Sequence, residues 1–161
     1  MLKLHKEDDP VLKLQSDDWD FNTQTDAAVL EQEMMELMRQ YNAIGLAANQ
    51  VGLTKRVFVM KLKNGQEIGC FNPSISNLAE KEIAEEGCLS FPNLWIKVER
   101  NKKIVAKYLD NAGKECIIEL EGIDARCFQH ELDHLDGITF TQHVSPLKLQ
   151  MARKKQRKLN G

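Results

Sequence analysis

Two histidines four residues apart, with a glutamate directly after the first, stand in QHELDHLDG, residues 129–137. Side chains at i and i+4 of a helix project together. His130 and His134 can therefore share one divalent ion, and Glu131 beside them can take a proton from water that such an ion acidifies. On a wheel of roughly 100° per residue, Ile123, Cys127, His130 and His134 fall in one narrow sector, with Glu131 on its flank. Ala125, Phe128, Leu132 and Leu135 fall opposite. The second set is a core stripe. The first is a polar face that a packed helix tolerates only when something satisfies it. A lone histidine is ordinarily a surface residue paired with an acid such as Asp133 or Asp136, or a core residue bonded to a backbone carbonyl. Two at this spacing, on a helix with an apolar back, favour a metal.

A hydrolytic site needs a third ligand and an open fourth position. His5 lies in an acidic segment and His143 nine residues beyond His134, and only Asp136 is acidic after His134. The common peptidase arrangement, with its downstream acid, is thus disfavoured. Cys88 in EGCLS, residues 86–90, offers a thiolate that would complete a Cys/His/His set. Gly87 is expected to allow a tight turn there, and Leu89 to present a backbone N–H beside the ligand. In AIGLAANQ, residues 43–50, the Gln50 amide could donate to an oxyanion. Alone, that stretch reads equally as close packing through Ala47 and Ala48 with Gln50 as a surface amide.

Taken together, Ala43 to Gln50, Glu86 to Ser90 and Gln129 to Gly137 resemble peptide deformylase, whose motifs run GxGLAAxQ, EGCLS and QHExDHLxG in this order. The resemblance extends to Asn72-Pro73 and to VERN at 98–101. It implies removal of the N-formyl group from formyl-methionyl nascent peptides, with release of formate. Cys88, His130 and His134 would bind one divalent metal, Fe(II) by family habit, with Zn, Ni or Co able to replace it. Glu131 would serve as general base and then acid, and Gln50 with the Leu89 N–H would hold the oxyanion. Backbone near Ile44 and Gly45 would pair with the peptide, and Ile44, Ile123 and Cys127 would line the methionine pocket. In bacterial members a basic C-terminal helix docks at the ribosomal exit region, and the resemblance implies a similar contact for Lys154, Lys155, Arg157 and Lys158. Ala43 departs from the pattern, standing where the family has its first glycine, and would be strained if that position needs φ > 0. The segment LQSDDWDFNTQTD, residues 14–26, also lacks the family's Pro-rich approach.

The elements that must position these residues follow from periodicity. Ala27, Leu30, Met34, Leu37, Met38 and Tyr41 recur at helical steps over 26–41, with Thr25 or Asp26 to cap them. Residues 42–52 suit neither helix nor strand. Residues 57–62 form an apolar run fit for a buried strand. Asn64-Gly65 signals a hairpin returning through 66–71, and Asn72-Pro73 is expected to end that strand. Residues 95–100 alternate, with Trp95, Lys97 and Glu99 against Ile96, Val98 and Arg100. A second hairpin joins 103–109 to 114–120. The motif helix spans 123–135 and stops before Gly137. Ser145 and Pro146 start a short C-terminal helix. The expected class is α+β, with mainly antiparallel β-sheets packed around the central HExxH helix, an N-terminal helix and a short C-terminal one.

At 161 residues, 42% hydrophobic and 29% charged, the chain suits one folded domain over 1–161. It has no apolar run of membrane-spanning length and no apolar signal core near its start, so a cytoplasmic location is expected. Four cysteines without a CxxC pair agree with a reducing compartment. Charge is uneven: three lysines against seven acids over 1–26, and six basic side chains with no acid over 145–161. Such a tail is ordinarily a solvated helix face, and it also offers a ribosome contact. The body is acidic, which disfavours a general nucleic-acid-binding domain. A catalytically silent metal protein is disfavoured by the open ligand position beside Glu131 and Gln50. Nothing calls for an obligate partner, so a monomer is expected.

Overall fold

The structure, a computed structural model, describes residues 2–160. Helix α1 spans Ala27–Gln40, α2 Ile123–Leu135 and α3 Pro146–Asn160. Strands β1 (Gly45–Ala47), β2 (Val57–Lys61), β3 (Glu67–Cys88), β4 (Phe91–Leu109) and β5 (Glu115–Glu121) form one sheet in chain order, each pair antiparallel. The α+β class is as expected. The third helix has 15 residues and is as long as the others.

The uniform apolar run of β2 has a physical cause in this arrangement. Val57 and Val59 join Leu30, Met34 and Met38 of α1 in one core, whereas Phe58 and Met60 join Ala125, Phe128 and Leu135 of α2 in another. Both faces of the strand are covered, so neither phase needs polar residues. Phe58 and Phe128 meet edge to face at 4.9 Å between centroids. Removing such a ring costs about 3–5 kcal/mol. A third core, including Leu12, Leu94, Ile96 and Ala152, fixes α3 against β4.

Three expectations are corrected. Asn72-Pro73 does not end its strand. Asn72 takes φ 50°, and β3 continues to Cys88 after a register shift between Phe71 and Ser74. The Asn72 side chain exchanges hydrogen bonds with the Trp19 backbone (2.7 and 3.0 Å), so the irregularity is tied down rather than terminal. The stretch 42–52 is ordered as β1 followed by a 3-10 turn over Ala48–Val51. Residues 95–100 and 103–109 are parts of the single strand β4. Asp26 stands at the N-cap of α1 without a side-chain capping bond. Ser145 Oγ does accept from Lys148 N at 3.2 Å. Helix α2 ends as expected. Gly137, at φ 73°, donates to the His134 carbonyl and Ile138 to that of Asp133, a Schellman closure.

Candidate metal centre

Helix α2 is buried on more than one side. Beyond its apolar stripe, Arg126, Gln129, His130, Glu131 and His134 are also buried. The β3–β4 hairpin closes over it, and the end of β3 delivers Cys88. The Cys88 Sγ and one nitrogen from each of His130 and His134 lie within 4.8 Å of one another. The Sγ is 3.4 Å from His134 Nε2. A tetrahedral ion with thiolate and imidazole bonds separates its ligand atoms by about 3.5 Å. Geometry and donor chemistry therefore both fit a single divalent ion, with Glu131 beside it.

His130 is aimed by a carboxylate. Its Nδ1 lies 2.9 Å from Glu86 Oε1, which leaves Nε2 for the site. Glu86 also accepts from Arg100 Nε (2.8 Å) and Arg100 Nη2 (2.9 Å), and from Arg126 Nη1 (2.6 Å). Arg100 in turn donates to Asp133 (2.6 Å), which bonds His143 at 2.7 Å. Asn49 Nδ2 holds the His134 carbonyl at 2.6 Å.

Burial and hydrogen bonding compete in setting the protonation of this network. Burial would raise Glu86, but hydrogen bonds from Arg100 and His130 outweigh it and hold that carboxyl well below its ordinary range. Burial acts to lower His130, yet bonds to Cys88 and Glu86 leave it well above the usual imidazole value. His134 is pushed well below, by burial and then by His130. Glu131, 4% exposed and with Oε1 unbonded, is raised by burial to about 7. A carboxyl poised near neutrality is suited to exchanging a proton with a reacting group.

A cavity of about 600 Å³ opens beside these atoms, lined in part by Ile44, Gln50, Leu89, Ile123, Cys127 and Glu131. Gln50 is 1% exposed, so the surface-amide alternative does not hold. Its Oε1 accepts from Ala47 N at 2.9 Å, and its Nε2 lies 3.1 Å from Ser90 Oγ and 3.5 Å from Cys88 Sγ. Leu89 sits in the turn between β3 and β4. Strand β1 is the sheet's edge. The Ile44 carbonyl faces β2, accepting from Lys61 N at 2.8 Å. Alternation along the ladder then turns the Gly45 N–H and C=O to the open edge. A Cβ at Gly45 would run into Glu131 Oε2 and lie 2.8 Å from Cys127 Sγ, so a side chain there would displace the Glu131 carboxylate. Ala43 is not among the residues with positive φ, and its replacement of glycine carries no strain. Gly87 also lacks a positive φ and lies within β3 rather than in a turn. Its missing side chain makes room for the Trp95 ring, 2.5 Å from where a Cβ would stand.

Nine of the ten residues picked from the sequence line this cavity, and His134, fully buried, joins them through its cluster with Cys88 and His130. Glu86, Arg100, Arg126 and Ser90 were missed. Arg100 had a readable signal, since it continues the inward phase of Leu94, Ile96 and Val98. Glu86 lay inside the Cys88 stretch, but nothing local marked it as buried.

The family model described as polypeptide deformylase matches residues 1–150. A peptide deformylase of Thermotoga maritima is 46% identical over 125 residues, covering 77% of this chain and 76% of that protein. One of Thermodesulfovibrio yellowstonii is 40% identical over 159 residues, covering 96% of each. The crystal structure of a peptide deformylase from Legionella pneumophila has a TM-score of 0.90 at 33% identity, covering 99% of this chain and 95% of that one.

Proposed function

The chain belongs to the polypeptide deformylase family, and on that premise we propose that it hydrolyses the N-formyl group of formyl-methionyl nascent peptides to formate and a free amine. The observation that carries this reading is Glu131, buried beside the Cys88/His130/His134 cluster whose donors fit one divalent ion.

Cys88, His130 and His134 would hold one divalent ion, and that ion, when bound, supplies an acidified water and polarises the formyl carbonyl. Glu131 accepts the proton of the attacking water and returns it to the departing amine. The Gln50 amide and the Leu89 N–H donate to the oxygen that gains charge. The open edge at Gly45 pairs with the peptide backbone, as strand addition does elsewhere, while the Ile44 carbonyl is already held by Lys61. Ile44, Ile123 and Cys127 wall the methionine side chain. Fe(II) suits the mixed thiolate and imidazole set, with Zn, Ni and Co as replacements. With Fe(II) bound, exposure to air should abolish activity as metal or sulfur is oxidised.

Residues 1–161 would act as one catalytic domain, as a monomer in the cytosol. Among the described residues no helix is long and apolar enough to cross a membrane. Lys154, Lys155, Arg157 and Lys158 on α3 are exposed and offer a ribosome contact. Arg153 is committed to Glu7 at 2.7 Å.

The direct test is formate release from formyl-Met-Ala-Ser by anaerobic, metal-loaded protein, beside Glu131→Ala and beside the unformylated peptide. Formate from the parent alone is expected. Metal bound with no formate released, or cleavage of the unformylated peptide, would turn the reading toward a silent binder or a peptidase.

A further inference from the structure

We propose that Ser90 is a positioning residue that fixes which way the Gln50 amide points, and that the N-terminal segment at His5 holds Ser90 for this purpose. The proposal rests on the role given to Gln50 above.

Ser90 is 0% exposed, and its hydroxyl uses its single proton and accepts one bond. It donates to the His5 carbonyl at 2.6 Å and accepts from Gln50 Nε2 at 3.1 Å. His5 closes the loop, because its N–H donates to the Gln50 carbonyl at 2.7 Å. Glu7 N–H adds a bond to the Ser90 carbonyl at 2.9 Å. Gln50, Ser90 and His5 therefore form a ring of hydrogen bonds that joins the end of the 3-10 turn, the β3–β4 turn and the N-terminal segment.

The consequence concerns a side chain with two nearly isosteric ends. An amide can sit either way round, and only its partners decide. In one orientation Oε1 meets the Ala47 N–H and Nε2 keeps an N–H for the cavity. In the other, an oxygen would face the developing oxyanion and repel it. A hydroxyl has one proton. Because Ser90 gives its proton to the His5 carbonyl, it can only accept from Gln50. The flipped amide would put two donors together at Ala47 and face Ser90 with an oxygen the hydroxyl could satisfy only by abandoning His5. Ala47 and Ser90 thus enforce the same orientation from both ends of the amide. One Nε2 proton is bound to Ser90, and the second points to Cys88 Sγ at 3.5 Å, on the side of the metal centre, where a substrate carbonyl would take it from the sulfur.

The test uses Ser90→Ala together with Ser90→Cys, which keeps the buried volume but accepts hydrogen bonds poorly. Each is made in the parent and in Gln50→Ala, with metal content measured throughout. With formyl-Met-Ala-Ser, kcat should fall about tenfold with KM within about twofold, and the Ser90 changes should cost nothing further once Gln50 is Ala. A readout independent of turnover is the 15N-resolved side-chain amide of Gln50 in zinc-loaded protein, identified by its absence in Gln50→Ala. Its two protons should be well separated and slow to exchange in the parent. They should move together and exchange faster in both Ser90 variants. An unchanged amide signal in the variants overturns the proposal, as does an equal loss of kcat with and without Gln50. If the parent releases no formate, the activity reading fails while the amide spectrum still decides the role of Ser90.

Discussion

Replacing Glu86 by glutamine changes one oxygen to an amide nitrogen and nothing in shape, yet the structure predicts a large effect. Oε1 serves Arg100 Nη2 and His130 Nδ1, and Oε2 serves Arg100 Nε and Arg126 Nη1. A glutamine NH₂ at either position faces two donors with a third. Whichever way it sits, two charge-assisted bonds are lost, and the Arg100 and Arg126 side chains, 4% and 7% exposed, lose their shared counter-charge. Breaking a buried ion pair from one side costs about 3–5 kcal/mol. At about 2–4 °C per kcal/mol for a chain of this size, the melting temperature should fall by roughly 10 °C. His130 also loses its pin or shares it with a competing donor, so metal affinity should drop about 10- to 100-fold. The Glu86 pKa is depressed in the folded state, so its stabilisation is complete above the ordinary carboxylate range and disappears as pH falls below it. The variant should lack that part of the acid dependence. Thermal unfolding of the metal-free proteins across pH 3–7, with chelator competition for the metal, measures all three effects. A melting temperature within about 2 °C of the parent at neutral pH, with unchanged metal affinity, would refute the assignment of Glu86 as the anchor of this network.

Glu131→Gln should lower turnover about 10²- to 10⁴-fold while metal is retained; near-normal turnover would remove Glu131 from the chemistry. In metal-free protein the same change should be stabilising at neutral pH. Burial raises the folded pKa from 4.5 to about 7, so the folded state holds a proton that the unfolded state sheds, and stability falls as pH rises through that window. The gain should reach about 3 kcal/mol at pH 7 and vanish near pH 4; parallel stability–pH curves for parent and variant would contradict this. Cys88→Ser replaces a soft ligand by a weak one and should weaken metal binding at least about tenfold by chelator titration; an unaltered affinity would take Cys88 out of the ligand set. Gly45→Ala must displace the Glu131 carboxylate. It should cut turnover far more than it lowers the melting temperature, and a proportionate loss of both would point to a purely structural glycine.

The sequence by itself singled out the candidate site residues and the helix α2 that carries His130, Glu131 and His134, but not the strands β1 and β3 that carry Gly45 and Cys88. Cysteine, histidine and glutamate at these spacings have few other uses, and the helical and alternating patterns of α1, α2 and β2 are local consequences of which faces are buried. Two glycines show where local reading stops. Gly45 and Gly87 were legible as glycines in motifs, but the reasons for them lie in Glu131 and Trp95, which are remote in the chain. The course of β3 past Pro73 depends on Asn72 reaching Trp19, 53 residues away. Above all, tertiary structure decided that Glu86, Arg100 and Arg126 are buried together behind His130. A charged residue in a strand or helix is ordinarily solvated, and only the folding of the β3–β4 hairpin over α2 brings one carboxylate within reach of two guanidiniums and an imidazole. The ligands are a property of residue type and spacing. Their aim is a property of partners such as Glu86 on His130 and Asn49 on His134, 44 and 85 residues distant, which no local pattern can encode.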